Sequence, residues 1–297
     1  MDAASDIFVI SDLHIGDGGP RDNFGHAEST RPEQLMAFLD YVEQENGELI
    51  IVGDLLEFWQ SSLSKVIVHN LPLLDRFAEL EATYVLGNHD ADLLHFVGKS
   101  LLAHPLFASM TGPIERTIGG KRFKFMHGHE VDKANAGDTP GIGRVAAILA
   151  GIGEDLVGGP YLPNGKAVES YLMGIVGKAI GLWGWVVRWF KWKIAGGPPK
   201  VKGQLTPRQD PDRADEMLVL YDQNRQKEGY EVLIAGHTHQ PGQMDGWYFN
   251  TGSWATTDNN FARIAPSGDV RLFDWIDGKP VANDNILSLP KTKDTKA

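Results

Sequence analysis

Cysteine is absent from the 297 residues. That excludes disulfides, thiolate nucleophiles and cysteine-bound zinc, and it is compatible with a reducing compartment. A metal bound by this chain must therefore be held by Asp, Glu, Asn or His. Met1 to Asp6 carries two acids and no basic region, apolar stretch or small-residue cleavage site, so no secretory signal is expected. Positive charge is also scarce: 28 Lys and Arg against 39 Asp and Glu give a formal net charge of -11. Such a balance argues against a broad phosphate-backbone footprint, which makes nucleic acid a poor candidate partner. The loop Gly16-Asp17-Gly18-Gly19 lacks the lysine and helix start of a P-loop and reads as a plain flexible turn.

What the chain does contain is five short motifs, each following a β-type apolar run. They are Asp12-Leu13-His14, Gly53-Asp54, Gly87-Asn88-His89-Asp90, His127-Gly128-His129 and Gly236-His237-Thr238-His239. Together Asp12, His14, Asp54, Asn88, His127, His237 and His239 supply seven oxygen and nitrogen donors, about what two adjacent divalent cations need. A phosphate ester is anionic and repels hydroxide. Two cations neutralise the phosphoryl oxygens and lower the pKa of a water, so that hydroxide forms near neutral pH. Asp54, with two oxygens to share, is the expected bridge.

Any one motif has a plainer reading as a turn aspartate or a surface histidine, and their joint occurrence at strand ends is what counts. Asn88 offers a neutral oxygen, while His89 beside it is assigned to phosphoryl stabilisation or leaving-group protonation. Asp90 either orients His89 or caps the helix expected from Ala91, the cap being preferred. Glu57 is a candidate for contact with the ligand shell or a solvated acid. His129 is read equally as a ligand-supporting, substrate-contacting or solvated residue.

Ile7 to Ser11, Glu48 to Val52 and Thr83 to Leu86 read as strands, with helical segments at Pro32 to Asn46 and Ser64 to Leu80 between them. That alternation implies βαβ crossovers and a largely parallel sheet, which gathers loop residues at one sheet edge. Ile114 to Ile118 and Arg122 to Met126, joined by Gly119-Gly120, read as a hairpin. Glu231 to Ala235 delivers His237 and His239. Trp247 to Asn250, Ala262 to Ile264 and Val270 to Trp275 read as short antiparallel strands. The expected organisation is a core over 1–130 and 230–276, a helical cap insertion over 131–229 and a polar tail over 277–297.

With all five motifs in order, the chain resembles the calcineurin-like metallophosphoesterase superfamily. The resemblance implies an α/β fold, a four-layered α/β/β/α sandwich. It implies one metal on Asp12, His14, Asp54 and His239 and a second on Asp54, Asn88, His127 and His237, with His89 as the catalytic histidine. Gly53-Asp54-Leu55-Leu56-Glu57-Phe58-Trp59 is similar to the branch containing UDP-2,3-diacylglucosamine pyrophosphohydrolase. That branch implies manganese, lipid A biosynthesis and a nucleotide-lipid pyrophosphate substrate, although it usually carries arginine where this chain has His89. The donor set also accommodates Fe, Zn or Ni. The alternatives are a general phosphodiesterase, including one acting on cyclic nucleotides, a phosphomonoesterase, or a metal-stabilised interaction module without turnover.

From Ser170 to Gln209 the insertion has no acidic residue, and it holds four of the eight tryptophans. Lys178, Trp183, Trp185, Arg188, Trp189, Lys191, Trp192 and Lys193 are the candidates for acyl-chain or membrane-surface contact. Internal packing or a dimer interface is the plainer reading of the tryptophans. The charges rule out a comfortable spanning helix. A cytoplasmic protein is expected, with peripheral contact to the inner membrane through this stretch.

Overall fold

The computed structural model describes residues 5–19, 22–99, 104–132, 211–255 and 259–287. The candidate cap residues Lys178 to Lys193 lie outside the described residues. The first sheet has seven strands in the order β12-β11-β10-β1-β2-β3-β4. They are β1 (Ile7–Ile10), β2 (Glu48–Val52), β3 (Thr83–Val85), β4 (Met110–Thr111), β10 (Asn259–Ile264), β11 (Val270–Ile276) and β12 (Lys279–Asn283). The second sheet has five, in the order β5-β6-β7-β9-β8. These are β5 (Ile114–Ile118), β6 (Lys121–Phe125), β7 (Val232–Ala235), β8 (Gly242–Met244) and β9 (Tyr248–Asn250).

Strand alternation builds four layers. Along β1, Ile7 and Val9 face one way and meet Ile50, Val52, Phe123, Phe125, Val232 and Ile234 between the two sheets. Phe8 and Ile10 face the other way, into a core completed by the first-sheet helices. These are α1 (Arg31–Gln44), α2 (Leu63–His69), α3 (Leu71–Glu79) and the short α4 (Pro105–Ala108). On β7 the same period sends Leu233 and Ala235 outward against Met217, Leu218 and Tyr221 of α5 (Pro211–Glu228). The order α/β/β/α follows directly from this two-residue period.

Helix α1 buries Leu35, Phe38, Leu39 and Val42 at helical spacing and starts with proline in its first turn. The expected helix from Ser64 to Leu80 is two helices. Pro72 cannot continue a helix from α2, because it lacks an amide donor and its ring would strike the carbonyl four residues earlier. Asn70 marks the break, its side-chain amide donating to the carbonyls of Val66 and Gly16.

Two further expectations differ from the structure. The polar tail from 277 is in part a strand: β12 pairs antiparallel with β11, Ile276 opposite Lys279, across the two-residue turn Asp277-Gly278. Both turn residues have positive φ, 49° and 75°, as an Asp-Gly hairpin requires, and Pro280 is tolerated because β12 is an edge strand. The last part of the expected insertion, α5, packs on the second sheet. Strand β9 runs parallel to β7 in that sheet, whereas β10 and β11 are antiparallel in the first. Among the described residues no helix is long and apolar enough to cross a membrane.

Phe38 is fully buried and touches the rings of Phe8, Trp254, Phe261 and Trp275. Phe38→Ala should lower unfolding free energy by about 3–5 kcal/mol, read as a reduced urea midpoint. A loss under about 1 kcal/mol would show that this aromatic cluster does not anchor α1.

Candidate metal centre

The loops after β1, β2, β3, β6 and β7 meet at one edge of the sandwich. The parallel pairing of β1 and β2 continues past the strand ends: the Asp12 amide donates to the Gly53 carbonyl, and the His14 and Ile15 amides to Asp54 and Leu55. This brings Asp12 and Asp54 side by side, 0% and 2% exposed. Gly53 has φ 90°, and a Cβ there would collide with the ring of His127. At Gly87 a Cβ would overlap the Asp54 carboxylate. Both positions need glycine for close approach.

The outer hydrogen bonds of the histidines set which nitrogen points inward. His127 donates Nδ1–H to the Val52 carbonyl at 2.9 Å, so its Nε2 lone pair faces the Asp54 carboxylate and the Asn88 Oδ1, each at 3.1 Å. His14 gives Nδ1–H to Glu57 at 3.2 Å, and its Nε2 lies 3.1 Å from Nε2 of His239 and 3.7 Å from Asp54. His239 Nε2 is 3.1 Å from Asp12. His237 bonds Asp132 through Nε2 at 3.0 Å, which leaves Nδ1 with the lone pair, and its ring centroid is 5.1 Å from that of His127.

Lone pairs of neutral imidazoles aimed at carboxylate oxygens or at one another repel unless a positive charge lies between them. Donor atoms about 2 Å from one cation sit roughly 3–3.5 Å apart, which is the spacing found here. The side chains therefore fit divalent metal. Asp12, His14 and His239 form one group of donors within 4.8 Å of one another, and Asp12, Asp54 and His127 form another. All seven residues predicted as ligands converge on this edge.

The electrostatics carry the same message. Burial raises the Asp12 pKa, but His239 and His127 outweigh it and bring it down to about 2. Asp54 is likewise opposed by burial and held well below the carboxylate range by His127, His89 and His14. Burial lowers the His127 pKa, yet Asp54 and Asp12 push it up to about 10. These carboxylates retain a positive charge at that nitrogen, as proton or as metal.

His89 forms a third group of close donors with His14 and Glu57 and is held by further bonds. Its amide donates to Asp54 at 2.8 Å, and its Nδ1 is 2.6 Å from Glu57 Oε2. Burial lowers its pKa, but Glu57 and Asp54 carry it upward, so the imidazolium is favoured. Glu57 is thus no solvated acid: 7% exposed, it joins His14 to His89. Its own pKa, which burial raises, is brought down to about 2 by the two histidines.

Asp90 makes no side-chain cap bond to the 3-10 helix Ala91–Phe96. Its carboxylate instead accepts from the amides of Leu55 at 2.8 Å and Gly87 at 2.6 Å and from the Tyr84 hydroxyl at 2.5 Å, tying the loops after β2 and β3 together. His129 sits with its ring centroid 5.5 Å from that of His127, and burial lowers its pKa to about 4.

Asp132 and Ser11 escaped the motif reading. Ser11 bonds the Asp12 carboxylate and Thr251 and so fixes that carboxylate. Asp132 stands five residues after the strand-end His127, where a turn returns it to His237. An acid at that spacing was the available signal.

Residues 5–150 match the family model of calcineurin-like phosphoesterases. No curated protein sequence matches the chain. Among solved structures, vacuolar protein sorting 29 from Cryptosporidium parvum is 14% identical, with 95% of this chain and 97% of that one covered, at a TM-score of 0.45. The zinc complex of Vps29 from Entamoeba histolytica is 14% identical over 94% of this chain and 97% of that one, at 0.41. Calcineurin-like phosphoesterase YfkN from Bacillus subtilis is 13% identical over 94% and 88%, at 0.36.

Asp132→Ala should weaken metal binding by about 10–100-fold while leaving the fold intact, as loss of an outer partner of a ligating histidine does. Titration of metal-free protein with zinc against a chelating indicator measures this. Unchanged affinity would show that His237 is oriented by other groups.

Proposed function

We propose that the chain is a calcineurin-like metallophosphoesterase that hydrolyses a phosphodiester or pyrophosphate bond with two divalent cations. The observation that supports this most is the set of imidazole lone pairs turned onto the Asp12 and Asp54 carboxylates by bonds on their far sides, and the family match over 5–150 agrees with it. Asp12, His14, Asp54 and His239 would hold one cation, and Asp54, Asn88, His127 and His237 the other. Such a pair neutralises phosphoryl oxygens and lowers the pKa of water.

The chain's own part is geometry and proton supply. Asp54 stands between the two donor sets: its Oδ2 faces His14 of one and His127 of the other, while its Oδ1 accepts from the His89 amide. Glu57 occupies Nδ1 of His89, so Nε2 is the nitrogen that gives a proton to the leaving oxygen. Asn88 adds a donor oxygen without adding charge to a site that already buries two carboxylates.

At the level of substrate, the reading is a nucleotide-linked lipid pyrophosphate of the UDP-2,3-diacylglucosamine type with manganese as the metal. Support comes from the Gly53 to Trp59 motif and from the basic, tryptophan-rich stretch at 170–209, whose composition suits acyl chains and an anionic membrane surface. His89, in the place of that branch's usual arginine, favours a general phosphodiesterase or phosphomonoesterase as the second reading.

Manganese-loaded protein should release UMP from UDP-2,3-diacylglucosamine faster than nitrophenol from bis-p-nitrophenyl phosphate. Cleavage of the small diester alone would remove the lipid substrate and keep the reaction class. Asp54→Ala should abolish metal binding and turnover together, and wild-type turnover in that variant would refute the bridging role. His89→Ala should keep two metals and lose roughly 10²–10⁴-fold in turnover. Unaltered kinetics would remove His89 from the mechanism.

A further inference from the structure

The indole of Trp59 lies flat on the imidazole of His89, ring centroids 3.7 Å apart and planes 20° from parallel. Trp59 is itself held at two points. Its Nε1–H donates to the Asn88 carbonyl at 3.0 Å, and its backbone amide donates to Glu57 Oε1 at 2.8 Å. The neighbouring Phe58 amide donates to the His89 carbonyl at 3.3 Å. Residues 57–59 thus wrap residues 88–89 from backbone, edge and face at once.

An imidazole held only by a hydrogen bond at Nδ1 can still rock about that bond. The Glu57 bond of 2.6 Å fixes one vertex of the ring, and the His14 ring meets it edge-on with centroids 4.5 Å apart. The stacked indole removes the remaining freedom, rotation out of the ring plane. We infer that Trp59 is a positioning residue that holds His89 in the orientation from which Nε2 reaches the leaving oxygen. The inference rests on the role given to His89 above. Stacked aromatic rings attract beyond the area they bury, which favours one ring orientation.

Two measurements test it, and one does not depend on turnover. In zinc-loaded protein the ring-proton NMR signals of His89, assigned by their loss in His89→Ala, should be shifted upfield by the indole ring current and return downfield in Trp59→Ala. Signals that stay in place overturn the inference. With a phenyl phosphodiester, whose poor leaving group needs a proton, Trp59→Ala should lower kcat by roughly 10–100-fold, with KM and bound metal unchanged and Trp59→Phe largely restoring the rate. In the His89→Ala background the same substitution should cost nothing more, because its effect passes through the missing ring. An equal loss in both backgrounds overturns the inference. If the wild-type protein cleaves no phosphoester, the proposed function fails, while the NMR shift still decides whether Trp59 orders His89.

Discussion

The arrangement at the sheet edge depends on one electrostatic constraint: Asp12 and Asp54 are ionised and almost wholly removed from water. A buried carboxylate is tolerable only with positive charge or strong donors around it. Four imidazoles, the His89 and His237 amides and the Ser11 hydroxyl supply that environment. Removing the histidines would leave the two acids repelling each other in an apolar setting, so the composition of the site and its stability are the same problem.

Backbone conformation is the second layer of this arrangement. Asp12, His14, Asp54, His237 and His239, five of the seven proposed ligands, have positive φ between 49° and 70°. Each such residue costs about 1–3 kcal/mol where the surroundings do not enforce it. Aspartate and histidine are among the residues that tolerate this region best. The left-handed step is what lets residues two apart on a loop, such as His237 and His239, aim at one centre. Amide bonds between the loops after β1 and β2, and the Asp90 carboxylate between those after β2 and β3, hold the strained residues in place.

Much of this was legible from residue order alone. Apolar runs ending in Asp, Asn and His located the strands and the residues that gather beyond their ends, because strand ends in an α/β sheet converge whatever the length of chain between them. The α2–α3 break and the β12 hairpin were also written in the sequence, as Pro72 and Asp277-Gly278, but periodicity and polarity masked them. Asp90 and Glu57 were ambiguous for another reason. A carboxylate near a helix start looks the same whether it caps that helix or collects donors from a distant loop, and only the fold brings Leu55 within reach of Asp90. The stack of Trp59 on His89 depends on two loops meeting, which no local spacing encodes.

The loops after β1, β2 and β3 belong to the first sheet, and those after β6 and β7 to the second. His127, His237 and His239 therefore come from one half of the sandwich and Asp12, His14, Asp54 and Asn88 from the other. Between the sheets the contact is a packed layer rich in Ile, Val and Phe, crossed at its margins by the His127 bond to the Val52 carbonyl and by the Arg116–Glu48 ion pair. A cation pair at the rim would act as a clasp across that seam, adding a link between one sheet and the other. Metal bound there would tie the two halves of the sandwich together and stabilise the folded chain by an amount that rises with the logarithm of free metal concentration.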